Sequence, residues 1–423
     1  MTPPQHTAPA SRSEAVPPTP LAAPPHRIRE VDALRGFALL GILLVNVQMM
    51  AGLYAGLAGV DPSATGADQA VAWIVTALVA MKFYLLFSFL FGYSFTLQVR
   101  AAQRDGAAFA PRHLRRVLGL SLLGLTHAVL LFVGDILMTY AVLGLLLYAF
   151  RNAAPRRALI AAIWLTGVLG AVLLGAGLLT AAGGPGTAGD GSTSDVTAQL
   201  SGLVTSYRGG PGAVVQANLR RLPDALSSDL VFAAALFAAF LAGLAAGRRD
   251  VLARAAAHRP LLIRILRHGL VIGLPGGVVM AVCRNGPLDS GRWSLIGTAV
   301  GVLTSPALTA AYACGLLLLL RTPPGARLAA ALAPAGRLAL TNYLTQSLVM
   351  ALVFTGYGLG LYGRAGTATA VAGCLALYAT QLALSAWLVR STRYGPAEWL
   401  LRTATLGRRP SRAPRGADTT PAP

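Results

Sequence analysis

Three residues of this chain are placed where a side chain could move a proton: Lys82, His127 and Asp135. All lie in or at the edge of long apolar runs, where an ionisable group is costly and implies either a function or a specific structural use. Under the span assignment below, Lys82 opens the second span at its outer end. His127 falls in the outer half of the third, and Asp135 at the turn between the third and fourth. A histidine held near a carboxylate is the minimal arrangement for general acid–base chemistry near neutral pH. Each residue also has a plainer reading: Lys82 snorkels to headgroups, Asp135 caps the following helix, and His127 hydrogen-bonds a neighbouring one.

Two further groups have the chemistry of binding. Near the N-terminus, Asp32 precedes Arg35 by three residues, on the same side of a helix that runs straight into an apolar segment. An arginine-rich inner surface suits the phosphates of a nucleotide-like ligand such as coenzyme A, because guanidinium pairs with phosphate in bidentate fashion. The competing reading is a local ion pair among topology determinants. In the stretch GRLALTNYLTQS, Asn342 and Gln346 are four apart and form a polar stripe facing protein or a cavity, either as helix glue or as a substrate lining. The last motif, GPAEWLLR at 395–402, reads as structural: Pro396 at a first turn, a Glu398–Arg402 spacing and an interfacial Trp399.

The elements that must position these residues are membrane helices. With 55% hydrophobic and 12% charged residues the chain is far from a soluble average. Apolar runs of bilayer-spanning length predict an all-α, polytopic transmembrane helix bundle of about ten spans, near 34–54, 80–99, 117–133, 136–150, 158–180, 229–247, 268–283, 297–320, 338–360 and 367–390. Two boundaries need argument. The run from 71 to 99 is too long for one span, so 69–79 is expected as an interfacial helix with the span starting near Lys82. The run from 117 to 150 must fold back, and Gly134-Asp135 is its turn signal.

Arginines alternate with this count. Arg100, Arg104, Arg112, Arg115 and Arg116, then Arg151, Arg156 and Arg157, then six between Arg248 and Arg267, then Arg321, Arg327 and Arg337 fall on one side. The other side holds only Arg208, Arg220, Arg221, Arg284, Arg292 and Arg364. Basic loops stay inside, so both termini are expected in the cytoplasm. Residues 1–26, rich in Pro and Ala, read as a disordered tail, 27–405 as the membrane domain with an external loop at 181–228, and 406–423 as a basic tail. Within that loop, 181–206 reads as flexible and 213–229 as a short surface helix.

The net charge of +20 is therefore topological, and nucleic acid is not an expected partner; the lipid bilayer is. Cys283, Cys314 and Cys374 lack metal or disulfide spacing, so no metal site is expected. There is no phosphate-cradling loop, G-x-S-x-G elbow or H-E-x-x-H.

Five stretches in order, REVDALRGFALLGILLVN at 29–46, KFYLLFSFLFG at 82–92, HAVLLFVGDIL at 127–137, GRLALTNYLTQS at 336–347 and GPAEWLLR at 395–402, together resemble the DUF418/YeiB-like bacterial membrane proteins. The DUF418 portion proper is expected at about 230–405. The family is similar to the wider group of transmembrane acyltransferases, including the heparan-α-glucosaminide N-acetyltransferases and acyltransferase-3 proteins. That resemblance implies a multi-pass protein of the bacterial plasma membrane. It also implies transfer of an acyl group, often acetyl from cytoplasmic acyl-CoA as donor substrate, to an acceptor on the far side, with a membrane-embedded histidine for which His127 is the counterpart. No bound cofactor is implied. Catalysis would then rest on His127, tuned by Asp135 or Lys82, and ligand binding on Asp32, Arg35, Asn342 and Gln346. A transporter or exporter lined by the same residues, or a structural membrane component, are the other readings.

Overall fold

The structure, a computed structural model, describes residues 29–52, 65–182, 193–255, 257–285, 291–407 and 409. Every regular element among them is helical: α1 (Arg29–Met50), α2 (Gly66–Ile74), α3 (Lys82–Arg104), α4 (Phe109–Leu130), α5 (Leu137–Ala149), α6 (Pro155–Ala182), α7 (Thr193–Arg208), α8 (Pro211–Arg248), α9 (Arg259–Asn285), α10 (Gly291–Leu319), α11 (Pro323–Arg337), α12 (Ala339–Phe354), α13 (Thr367–Ser391) and α14 (Pro396–Leu406). Helices are the expected solution, because a spanning segment must satisfy its own backbone polar groups. Each of the ten anticipated spans appears as a helix. Among the described residues seven stretches are long and apolar enough to cross a membrane, while α5 and α12 are shorter apolar helices.

The outer surface of α6 shows what the bundle faces. Ile163, Trp164, Val172 and Leu179 are each more than 60% exposed, an arrangement that is unfavourable against water and ordinary against lipid. Inside, the tightest crossings are made by glycine. A Cβ added at Gly92 of α3 would fall on the Phe240 carbonyl, and one at Gly243 of α8 on the Phe89 carbonyl. The two backbones therefore touch, as small residues allow in membrane bundles.

The break before Lys82 is where the sequence places it. A π-helical turn at Val75–Val79 follows α2, and Met81 then takes φ 68°. That left-handed conformation costs a non-glycine residue roughly 1–2 kcal/mol, which the packing around it must offset. The fold-back after α4 is also as expected, over residues 131–136. The outer segment differs. Thr193–Arg208 is a helix rather than a flexible loop, and 213–229 is the first part of the 38-residue α8 instead of a separate surface helix. The expected break near 229 is absent because the helix runs without interruption from the polar segment into the apolar run that follows it. The tail assignments fall outside the described residues for 1–28, 408 and 410–423, as does 183–192 of the loop.

Candidate functional site

The site is made by the fold-back. As α4 ends, the backbone N–H groups of Leu131 and Phe132 both donate to the His127 carbonyl, each at 2.9 Å, which closes the helix at the histidine's own turn. The chain then reverses, and Asp135 Oδ2 accepts from Met138 N at 2.9 Å, capping α5. The same carboxylate folds back over α4. It has room because residue 124 is glycine: a Cβ there would lie 2.5 Å from Asp135 Oδ2.

This brings Asp135 Oδ1 to 2.9 Å from His127 Nδ1, with the two side chains only 2% and 1% exposed. The oxygen lies off the axis of the ring N–H, so Nδ1 makes an electrostatic contact and not an aligned hydrogen bond. Nε2 is buried with no hydrogen-bond partner. Tyr343 of α12 completes the cluster, with its hydroxyl 3.4 Å from Asp135 Oδ1 and its ring 5.1 Å from the imidazole. Phe132 stands edge-on to His127 at 6.4 Å. Tyr84 lies near enough to act electrostatically on Tyr343, and donates its hydroxyl to Asn46 Oδ1. An imidazole oriented at one nitrogen by a carboxylate and open at the other is the arrangement of a general base.

Lys82 does not join them. It is fully buried, with Nζ 3.3 Å from the Thr76 carbonyl and 3.9 Å from Met280 Sδ, on the side of the π-turn and α9. The shared depth expected of the three groups does not bring them into contact. Spacing in sequence gives depth but not the direction of a side chain.

At the end of the bundle that the arginines assign to the cytoplasm, Arg35 pairs with Asp32 at 2.8 Å and donates to Ser94 Oγ at 2.5 Å. Arg116 of α4 lies over the Phe91 ring, with its Nε enclosed and without a partner, and the charges of Arg35 and Arg402 act on it. Asn342 and Gln346 hold α12 to α13. Asn342 Nδ2 donates to Ser385 Oγ at 3.0 Å and to the Ala335 carbonyl, and Gln346 Nε2 to Gln381 Oε1 at 2.8 Å. Glu398 serves α12 as well, with one oxygen accepting from Leu340 N and Thr341 N. Arg402 lies over the Tyr394 ring.

Tyr343, Tyr84 and Arg116 are the residues that sequence reasoning did not single out. Tyr343 sits inside the quoted TNYLTQS stretch, but a tyrosine in an apolar run gives no signal of which helix it faces. Among the described residues no group of three or more His, Cys, Asp or Glu side chains could hold a metal.

Comparison with known proteins places the chain in a family. Residues 246–408 match the family model described as a protein of unknown function, DUF418. Over nearly the whole chain there is similarity to three bacterial proteins, all described as uncharacterised. YxaH of Bacillus subtilis is 33% identical, covering 90% of this chain and 94% of that protein. A 39.9 kDa protein from the amylase 3′ region of Bacillus acidopullulyticus is 30% identical over 90% and 95%. YeiB of Escherichia coli is 29% identical over 89% and 95%.

Proposed function

We propose that this chain, which belongs to the DUF418/YeiB-like family, is an integral-membrane acyltransferase that uses the His127–Asp135 pair as its general base. The observation that carries the reading is the buried Nε2 of His127, without a partner while Nδ1 faces a carboxylate. A buried polar atom left unsatisfied costs about 1–3 kcal/mol, and a substrate hydroxyl or amine would satisfy this one. In the reaction, Nε2 takes the acceptor's proton as its oxygen or nitrogen attacks the thioester carbonyl of an acyl-CoA. The tetrahedral intermediate then collapses, the C–S bond breaks, and the CoA thiolate leaves with the proton returned from the imidazolium. Asp135 stabilises that imidazolium; Tyr343 fixes the carboxylate.

The inner end is assigned to the donor's phosphates on its charge. Arg116 is 11 residues before His127 on the same helix, about 16 Å along its axis, a separation of the order that an extended pantetheine arm bridges. Arg35, Arg116 and Arg402 are the cations gathered there. The plasma membrane is the expected location. Transport, the other reading, asks Lys82, His127, Asp135, Asn342 and Gln346 to line one path; polar atoms of Lys82, Asn342 and Gln346 are engaged with the surrounding helices.

The test is binding and turnover of labelled acetyl-CoA by the protein in nanodiscs. Saturable binding, competed by CoA and weakened in Arg116→Gln, with acyl transfer lost in His127→Ala, is expected. A well-folded wild type that binds no acyl-CoA would end the proposal.

A further inference from the structure

One long stretch of the sequence carries positive charge without local compensation. From Val251 to Ala397 it holds twelve arginines and a single acidic residue, Asp289, which follows the far end of α9. Most of these arginines stand in loops or at helix ends, where water and the positive-inside pattern account for them. Arg264 and Arg267 do not. They lie in the second and third turns of α9.

The face they occupy is set by the packing of that helix. Gly269, Gly273 and Gly276 turn toward α10, since a Cβ added at each would fall on the Ala307 carbonyl, on Leu308 and on the Thr304 side chain respectively. At about 3.6 residues per turn, the side opposite this glycine seam carries Arg264, Arg267 and Val271, flanked by Leu261, His268 and Ile272. All six are exposed, Val271 by 74% and Leu261 by 43%. In a membrane bundle such a face meets lipid.

Their depth follows from the same helix. Arg284 stands in its last turn, and Arg264 is 20 residues earlier, about 30 Å along the axis, which is the thickness of a hydrocarbon core. Arg267 and His268 are one turn further in. Leu261, on the cytoplasmic side of all three, is exposed as well, so apolar side chains bracket the guanidiniums along one face. Helix α6 is arranged differently: its exposed Arg156 and Arg157 are in the first turn, and the exposed apolar residues, Ile160, Ile163 and Trp164 among them, begin only after these.

Among the described residues the ion pairs involve Arg35, Arg100, Arg112 and His127, and neither Arg264 nor Arg267. Two like charges three residues apart on a helix repel unless an anion offsets them. His268 adds a ring at the same level, with Nδ1 2.8 Å from the Arg264 carbonyl, which leaves Nε2 for another partner.

We propose that the inner half of this face binds the phosphate of an anionic phospholipid, with Arg264 and Arg267 as its donors and Val271 and Ile272 against the acyl chains. The guanidinium fork donates in pairs to phosphate oxygens, and its long stem carries the charge to headgroup level from a Cα inside the core. A soluble anion fits the face less well, because exposed apolar side chains stand on both sides of the pair. The proposal does not depend on acyl transfer.

Its test is native mass spectrometry of the protein from nanodiscs of phosphatidylcholine and phosphatidylglycerol in equal parts. Arg264→Gln/Arg267→Gln is set against Arg156→Gln/Arg157→Gln and the charge-keeping Arg264→Lys/Arg267→Lys. Wild type and the α6 variant should retain phosphatidylglycerol in preference to phosphatidylcholine. Retention should fall by about fivefold for each guanidinium removed from α9 and be largely kept in the lysine variant. Should the α9 double variant melt below wild type, Arg264→Gln and Arg267→Gln are read singly, each with that loss. No preference in wild type, or an equal loss in the α6 variant, would overturn the proposal. So would a rise in melting temperature with inorganic phosphate in pure phosphatidylcholine that disappears in Arg264→Gln/Arg267→Gln, because it would assign the pair to a soluble anion.

Discussion

Helix α4 carries two buried histidines nearly four turns apart, and their surroundings differ in kind. His113 is enclosed by rings, stacked on Phe109 at 5.3 Å and Tyr148 at 5.8 Å with Phe95 edge-on, and its Nε2 is 2.9 Å from the Gly144 carbonyl. His127 faces the Asp135 carboxylate and the Tyr343 hydroxyl cluster. Each has a ring nitrogen without a partner, so an orphan nitrogen alone does not mark a base. What separates them is the group at the other nitrogen. A carbonyl shared with a helix fixes a tautomer, whereas a carboxylate also stabilises the imidazolium that forms when the ring accepts a proton.

That contrast can be broken by experiment. The largest expected effect is His127→Ala, which should lower acyl transfer by about 10²–10⁴-fold while leaving the melting curve close to wild type. Asp135→Asn keeps an oxygen to cap α5 but loses the charge; turnover should fall by about 10²-fold, and an unchanged rate would show that His127 works without its partner. Tyr343→Phe should cost roughly tenfold, equivalent to about one hydrogen bond, visible in kcat more than in KM. At the other histidine the readouts exchange: His113→Phe preserves the stack, so activity should stay near wild type and stability should fall by about 1 kcal/mol. Equal loss of activity at both positions would refute the comparison. The smallest effect is expected for Gln346→Ala, about 0.6 kcal/mol of stability for one interhelical contact, with no specific change in rate.

Much of this was legible in the residues. The ten helices follow from apolar run lengths, the break before Lys82 from a run too long for one crossing, and the fold-back from Gly134-Asp135, which also put His127 and Asp135 at one end. The partner at Nδ1 was therefore within reach of sequence reasoning. Tyr343 was not, because it approaches from a helix more than 200 residues away and an isolated tyrosine carries no directional pattern. Lys82 misled for a related reason: residues at the start of a helix point around its whole circumference, and Tyr84, two positions on, takes the side facing Asn46.

Helix α8 is mechanically continuous from one end of the bundle to the other. Its 38 residues run about 57 Å, nearly twice the roughly 30 Å thickness of a hydrocarbon core. Its outer end carries Asn218 and Arg221, and its inner half packs along α3 and α6. Outside and inside are thus two arms of one lever. Pro223, the proline beyond its first turn, gives up the backbone bond to the Leu219 carbonyl, so the compliance of the lever is concentrated within a turn of Arg221.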